Sequence, residues 1–443
     1  MLSFIISILN LIRIIFILLI SAILYPFIGS KAIYLFLRFC GPTFIKLGQL
    51  LSSRPDLVGE NLASRLSVFQ DKLPPFSYSY VKKTIENQSG KKMKDLFLEF
   101  SETPVASASI AQVHKAKMLN GDIVAVKVLR PKISRLVFRD IATLKLLTFV
   151  VGIFSSYGKE KLSNIVKLLQ ISAAKELDLS LEASAASQLK EKLYDIEGFY
   201  VPKIYWNITF SKVLTMEWIN GIAFSNKEAI KNSKFDKNKL AKNLVISYFN
   251  QVYVHGFFHA DMHPGNLFLM DNGNIGVVDF GIIGIIDKKT RIAVAEILMG
   301  FLKRDYRRVA QIHVSAGLVP EDTNIEEFSL TCRVIGESVV DLSVKQISLA
   351  KLMGLLLKMA RKYNMNTRPE LLLLQKTMML VEGVGVQIDE NLNMWELSSP
   401  WMKEWAVKNI GFDAKVRDHL LELIDAIKKL PDILEKNLGN LKS

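Results

Sequence analysis

The sequence predicts an α+β chain of two lobes behind an apolar helical extension, and three observations carry that prediction. Residues 3–28 are almost wholly apolar. Residues 101–222 hold β-branched runs punctuated by turn residues. From Lys288 to about Leu434, apolar residues recur at helical spacing. The length, 443 residues, exceeds what one hydrophobic core ordinarily fills, which is why two lobes are expected.

The first element is the run 3–28, SFIISILNLIRIIFILLISAILYPFI, broken by Asn10 and Arg13. Counted through Arg13 it is long enough to cross a bilayer, and counted from Ile14 it is marginal. An arginine near the centre of a span is costly, so a tilted span with a snorkelling Arg13 competes with a helix lying in the interface. A buried N-terminal helix is the third alternative. A cleaved signal peptide fits poorly, because no positive stretch precedes the apolar run. Lys31 and Arg38 follow it and favour the cytoplasmic side for the downstream chain.

Residues 41–100 read as helices with a turn at Leu73-Pro74-Pro75-Phe76. The turn pair Asn120-Gly121 then introduces a β-branched strand over Asp122 to Leu129, and further strand-like runs lie within Val201 to Glu217. Residues 226–242, rich in Lys and Asn, read as a solvated loop entering a helix. Helices follow from Lys288 with interruptions near Pro320, Pro369 and Pro400. The expected boundaries are a membrane segment at 1–30, a helical extension at 31–100, a first lobe at 101–222, and a second lobe with a helical C-terminal extension at 223–443.

Charge and hydropathy narrow the partners. The 57 basic and 43 acidic residues leave a net charge of +14, half the residues are hydrophobic, and mean hydropathy is +0.23. Anionic partners follow, and a lipid surface satisfies charge and hydropathy together. No nucleic-acid partner is expected, since no RNP, zinc-finger or helix-turn-helix pattern occurs and the basic residues are scattered. Cys40 and Cys332 are far apart with no C-x-x-C, so a disulfide framework or thiolate metal site is not expected and a reducing compartment is.

The chemistry concentrates in His259-Ala-Asp261-Met-His263-Pro-Gly-Asn266, followed by Leu-Phe-Leu-Met, the turn Asp271-Asn272-Gly273-Asn274, and Asp279-Phe280-Gly281. Asn272-Gly273 between two short apolar runs predicts a hairpin that returns Asp279 beside Asn266. A carboxylate and an amide oxygen there suit Mg²⁺, a hard cation that keeps waters and nucleotide phosphates as its other ligands. Asp261 precedes Asn266 by the spacing of the kinase catalytic loop, and Asp279-Phe280-Gly281 is D-F-G. In that template Asp261 orients or deprotonates the attacking group while Asn266 and Asp279 hold metal on the phosphates of ATP. Upstream, Val124-Ala125-Val126-Lys127 matches the kinase V-A-I-K strand, with Ala125 and Lys127 on one face. Its glutamate partner would come from Glu176-Leu-Asp178-Leu-Ser-Leu-Glu182, a helical run in which Asp178 and Glu182 share a face and Glu176 does not. A Zn or Fe hydrolase built on His259, Asp261 and His263 is the rival chemistry, but it leaves Lys127 and Asp279 unused.

Two departures from a protein kinase are legible. Aligned on Val113, the glycine-rich loop becomes Ala106-Ser107-Ala108-Ser109-Ile110-Ala111-Gln112-Val113, with alanines where the three glycines would stand. Alanine avoids positive φ and carries a Cβ, so this ATP-binding loop must meet phosphate differently. After Gly281 only Ile282 to Asp287 precede the next helix, and no A-P-E follows. The platform on which a kinase docks a peptide is missing, so ATP hydrolysis or a small lipid acceptor is expected.

With those motifs in place the chain resembles the UbiB family of atypical protein-kinase-like proteins over roughly residues 40–410. Lys46-Leu-Gly48-Gln49 matches the family's K-x-G-Q. The alanine-rich loop, Lys127, Glu176-Leu-Asp178, Glu182-Ala183, His259 to Asn266 and Asp279 complete the pattern, with Asp305-Tyr306-Arg307 and Val381-Glu-Gly-Val-Gly385 in addition. The resemblance implies an atypical protein-kinase-like two-lobe fold with an N-terminal helical extension and membrane segment. It implies ATP and Mg²⁺ as cofactors, Asp261 as the catalytic residue, and ATPase or small-molecule kinase activity supporting ubiquinone biosynthesis at the polyprenylphenol hydroxylation stage. Polyprenylated phenolic lipids, ubiquinone-biosynthesis enzymes and the membrane are the implied partners, with the core on the cytoplasmic side of a bacterial inner membrane. The K-x-G-Q helix covers the active site in this family, which makes Lys46 and Gln49 regulatory. A nucleotide-gated scaffold with little turnover is the alternative function. Proteobacterial members carry hydrophobic C-terminal helices, whereas residues 403–443 here are charged and amphipathic.

Overall fold

The computed structural model describes residues 2–52, 62, 65–66, 73–340, 359, 363, 368–390 and 392–410. The expected amphipathic extension beyond residue 410, and parts of the expected helical stretch 41–100, lie outside them. The chain forms two compact units. One comprises Met1–Ser233, His259–Ile283 and Leu372–Thr377; the other comprises Lys234–Phe258, Gly284–Leu371 and Met378–Ser443.

The first unit begins with three helices, α1 (Leu2–Ile28), α2 (Ser30–Cys40) and α3 (Pro42–Ser52). The apolar run forms α1 because it lacks a breaker until Pro26, and Gly29, at φ 55°, turns the chain into α2. Helix α4 (Tyr78–Ser89) follows the Leu73–Phe76 turn and ends on Gly90 in the left-handed region.

The expected helix fails at Phe97–Phe100, which is strand β1. Its aromatic residues are good strand formers, and its partner supplies the buried surface: Phe97 lies opposite Met118 of β3 and joins Val81, Ile85 and Val126 in the core. Strands β2 (Ala106–Ser107), β3 (Ala111–Met118), β4 (Ile123–Leu129) and β6 (Val213–Glu217) complete an antiparallel sheet of order β1-β3-β4-β6, with β2 on β3. Central β4 alternates as predicted: Val124, Val126 and Val128 are buried while Ala125 and Lys127 occupy the other face.

Helices α5 (Ile133–Phe154), α6 (Ser156–Glu176) and α7 (Leu179–Lys192) follow. The single helical run expected over 176–182 is broken. Asp178 is extended and caps α7, its Oδ1 accepting from Ser180 N at 3.0 Å. An aspartate offered that capping geometry terminates one helix and starts the next.

Strands β5 (Phe199–Tyr200), β7 (Gly221–Ala223), β9 (Leu267–Met270) and β10 (Ile275–Val277) make a second sheet, ordered β5-β10-β9-β7, and the short strand β8 (Phe257–His259) lies outside it. The predicted hairpin is β9–β10, with Leu267 opposite Val277. In the segment expected as a solvated loop, Asn226 caps a short helix, α8 (Lys227–Lys231).

In the second unit Asp236 caps α9 (Lys237–Phe249), and α10 (Lys288–Leu302), α11 (Tyr306–Ser315), α12 (Ile325–Val340) and α14 (Met394–Ile410) follow. Tyr253, Trp401 and Trp405 pack together here, with Trp401 and Trp405 stacked at 6.5 Å. Pro400 does not interrupt the chain as expected; it sits inside α14. Pro369 opens α13 (Pro369–Ile388), where a proline loses no helical hydrogen bond.

Candidate functional site

The site assembles in the first unit around Lys127. Fixed between β3 and β6, β4 presents this lysine on the face opposite the valine core. Its Nζ donates to both carboxylate oxygens of Glu182, at 2.8 and 2.9 Å, and to Asp279 Oδ1 at 3.3 Å. Glu182 reaches it from the first turn of α7. Burial alone would lower the Lys127 pKa, but Asp279 and Glu182 outweigh it and hold the ammonium protonated. Lys127 in turn keeps the Asp279 carboxyl well below the usual carboxylate range, while burial pushes Glu182 up against the pull of the same lysine.

The two glutamates left open by the sequence divide between two lysines. Glu176, the last residue of α6, pairs with Lys46 of α3 at 2.9 Å and also accepts from Ser172 Oγ at 3.1 Å. Asp178 serves neither lysine. Its carboxylate takes the amide and hydroxyl of Ser180, at 3.0 and 2.6 Å. Lys46 and Glu176 line a small cleft together with Thr43, Ile110 and Val137, so the K-x-G-Q helix stands beside the alanine-rich loop. The side-chain oxygen of Gln49 is buried and has no hydrogen-bond partner among the described residues.

The alanine-rich loop is a tight hairpin. Ala106 and Ser107 pair with Val113 and Gln112, and Ala108 N donates to Ala111 O at 2.8 Å. Ala106 is exposed, Ser107, Ala108 and Ile110 are half-buried, and Ser109 and Ala111 are buried. The Gln112 amide is occupied with the backbone of Phe76 and with His114 Nε2, which leaves main chain as its contribution to a ligand. Arg130, which motif reasoning overlooked, ties the hairpin down: Nε donates to Ala108 O, Nη2 to Ser107 Oγ and Nη1 to Pro74 O, all at 2.8–2.9 Å.

The segment His259–Asn266 carries the acid. His259 is fully buried; its Nδ1 accepts from Asp261 N at 3.2 Å and its Nε2 faces Val278 O at 3.3 Å. Burial lowers its pKa, so it stands as a neutral ring that braces the loop and packs edge-on against Phe280 at 5.5 Å. With Nδ1 engaged by the backbone, His259 cannot share a metal with Asp261 and His263, and the hydrolase alternative falls on geometry. His263 in turn accepts from Gly265 N at 3.0 Å.

Asn266 donates Nδ2 to Asp261 O at 3.0 Å, and its carbonyl accepts from Val278 N at 2.9 Å, so the hairpin does return beside the loop. Asp279 adopts φ 63°, a left-handed conformation rare for a residue with a Cβ and often found where a side chain must be aimed. The donors are hard: an ionised carboxylate at Asp279, and an amide at Asn266 whose nitrogen is tied back and whose oxygen is left for a cation. That set fits Mg²⁺. A second missed residue is Lys376 of α13. Its Nζ lies 3.4 Å from Asp261 Oδ1, and neighbouring Thr377 donates Oγ1 to Ala260 O at 3.1 Å. It is 115 residues from its partner, with no local spacing to betray it.

Comparison with known proteins places the chain in a family. Residues 68–313 match the ABC1 atypical kinase-like domain, and residues 332–393 match the UbiB helical domain. The protein named "Probable protein kinase UbiB" in Marinobacter nauticus is 36% identical over 91% of this chain and 75% of its own. The protein of that name in Pseudomonas fluorescens Pf-5 is 37% identical over 89% of this chain and 76% of its own. A solved structure of Mycobacterium tuberculosis Rv3197, in complex with erythromycin, superposes with a TM-score of 0.53 over 80% of this chain and 90% of its own, at 23% identity, and so shares the fold. The chain belongs to the UbiB family of ABC1 atypical kinase-like proteins.

Proposed function

We propose that this protein binds ATP with Mg²⁺ and acts as an ATPase or a small-molecule or lipid kinase, not a protein kinase, in support of ubiquinone biosynthesis at the polyprenylphenol hydroxylation stage. The observation that carries the reading is Lys127 gripped by Glu182 and Asp279 in the same unit as Asp261 and Asn266. Asn266 and Asp279 would hold the metal, which supplies charge neutralisation on the phosphates. Lys127 binds and orients phosphate, the Ala106–Val113 hairpin covers the nucleotide, and Asp261 accepts the proton of the attacking hydroxyl or water. Lys376 beside Asp261 adds positive charge where negative charge builds up. The acceptor is small because α10 begins at Lys288, six residues after Ile282 opens the segment that builds a peptide platform in kinases. Residues 101–222 and 223–443 serve as the two lobes, 31–100 as the extension whose Lys46 and Gln49 regulate access, and 1–30 as the membrane segment. The core then faces the cytoplasm at the inner membrane, near phenolic lipids and the enzymes that modify them.

Asp279→Asn tests this, with phosphate release measured with and without a phenolic lipid. Loss of Mg²⁺-dependent turnover with an unchanged circular dichroism spectrum is expected. Unchanged turnover overturns the assignment.

A further inference from the structure

In a helix packed on a water-soluble protein the buried stripe is its most apolar face. Helix α1 is the reverse. Its buried residues are Ser7, Asn10, Ile14 and Ser21, which fall on one side at helical spacing. Leu9, Ile12, Phe16, Leu19, Ile23 and Phe27 fall on the opposite side and are 57–81% exposed. The outer face is thus more apolar than the inner one, an arrangement suited to an outer solvent of hydrocarbon.

The polar stripe is anchored. Asn10 Nδ2 donates to Asp140 Oδ1 at 3.1 Å and to Thr143 Oγ1 at 2.9 Å, both on α5. Asp140, 1% exposed, also accepts from Thr43 Oγ1 of α3 at 2.7 Å and from Arg139 at 2.8 Å. Arg13 Nη2 donates to Cys40 O at 3.1 Å, at the end of α2. The first half of the apolar stretch Ile6–Ile28 is therefore held against helices of the folded domain. Among these, α5 carries Arg135, Arg139, Asp140 and Lys145. Were α1 to cross a bilayer with these contacts intact, the charges of α5 would enter hydrocarbon beside it, at several kcal/mol each by order of magnitude.

We infer that α1 is an in-plane membrane helix: Asn10 clamps it to α5, and its Leu9–Phe27 face lies in one leaflet of an anionic membrane without spanning it. Charge agrees with that occupant. Arg13, Lys31, Arg38, Lys46 and Arg54 all precede the first acidic residue of the chain, Asp56. The inference rests on the membrane association proposed above and assigns its geometry.

The test adds full-length protein to preformed vesicles of phosphatidylethanolamine and phosphatidylglycerol. Co-sedimentation comes first, and failure to bind overturns membrane association itself and this inference with it. In bound protein whose Cys40 and Cys332 are replaced by alanine, the single-cysteine variants Ser3→Cys and Lys82→Cys are both expected to react with a membrane-impermeant maleimide from outside. Protection of Ser3→Cys until detergent is added means a span and overturns the in-plane helix while leaving membrane association standing. Fluorophores on Leu9→Cys, Phe16→Cys and Ile23→Cys are expected to be quenched more by lipids spin-labelled near the headgroup than by those labelled near the chain end, and to a similar degree at all three sites. A depth maximum at Phe16 alone overturns the inference. So does shielding of all three labels from both quenchers in a dimeric protein, which would seat a second copy on this face.

Discussion

Two lysine–glutamate pairs lie in one unit and differ in how they are held. Lys127 stands on a strand flanked by β3 and β6, and three carboxylate oxygens grip it. Lys46 stands on helix α3 and meets one oxygen of Glu176, which Ser172 shares. Exposure is similar, 12% and 7% for the first pair against 18% and 7% for the second, so burial does not separate them. The carriers do. A strand hydrogen-bonded on both sides cannot shift without breaking its ladder, whereas a helix packed by side chains can be displaced as a body. The strand pair therefore suits a fixed part of the site, and the helix pair suits a removable cover.

The largest expected effect comes from Lys127→Met. Phosphate release should fall at least about 100-fold with one phosphate donor gone. Urea unfolding should show a loss of about 3–5 kcal/mol, because the buried Glu182 is left uncompensated. Adding Glu182→Leu should recover most of the stability and none of the turnover. Recovery of both would make the pair a purely structural bridge.

Lys46→Ala should destabilise less, by about 1–3 kcal/mol, since Ser172 still satisfies one oxygen of Glu176. Turnover or autophosphorylation should rise, read by phosphate release and by intact mass after incubation with ATP. A loss of turnover matching that of Lys127→Met would erase the contrast between the pairs.

Arg130→Ala removes two side-chain hydrogen bonds to the alanine-rich hairpin that borders the Lys46 cleft, and a third that ties it to Pro74. The ATP KM should rise severalfold with kcat nearly unchanged, the sign of lost ground-state binding. A fall in kcat at constant KM would place the hairpin's role in the reaction itself.

The smallest effect belongs to His313 of α11, in the other unit. Burial lowers its pKa to about 4, and its Nδ1 donates to Val309 O at 2.8 Å. The unfolded chain takes up this proton near pH 6.5 while the folded chain does not, so stability is full above that pH and declines as pH falls toward 4. Between pH 7 and 5.5 the loss is about 1 kcal/mol by this linkage. His313→Gln should flatten that part of the urea-midpoint profile, and neither lysine variant should alter it. If Lys46→Ala does flatten it, the two units are energetically coupled.

Much of the site was legible because its signals are short-range. The period-2 alternation that turns Lys127 away from the valine core, the Asn272-Gly273 turn that returns Asp279 to Asn266, and the spacing of Asp261 to Asn266 each depend on fewer than about twenty consecutive residues, within which backbone geometry leaves few choices. Other features were settled by partners far along the chain. Lys127 finds Glu182 at a separation of 55 residues, and Asn10 finds Asp140 at 130. Lys376 approaches Asp261 from a helix whose sequence reads as ordinary core. At Phe97–Phe100 the aromatic residues tolerate either conformation, and pairing with β3 selected the strand. Asp178 could extend a helix or cap one, and Ser180 with the packing of α7 decided for the cap. Sequence by itself determined where hydrogen-bond donors, hard oxygens and apolar faces recur along the backbone. Only the tertiary structure decided which glutamate answers which lysine, because a buried charge takes the partner that packing brings within reach.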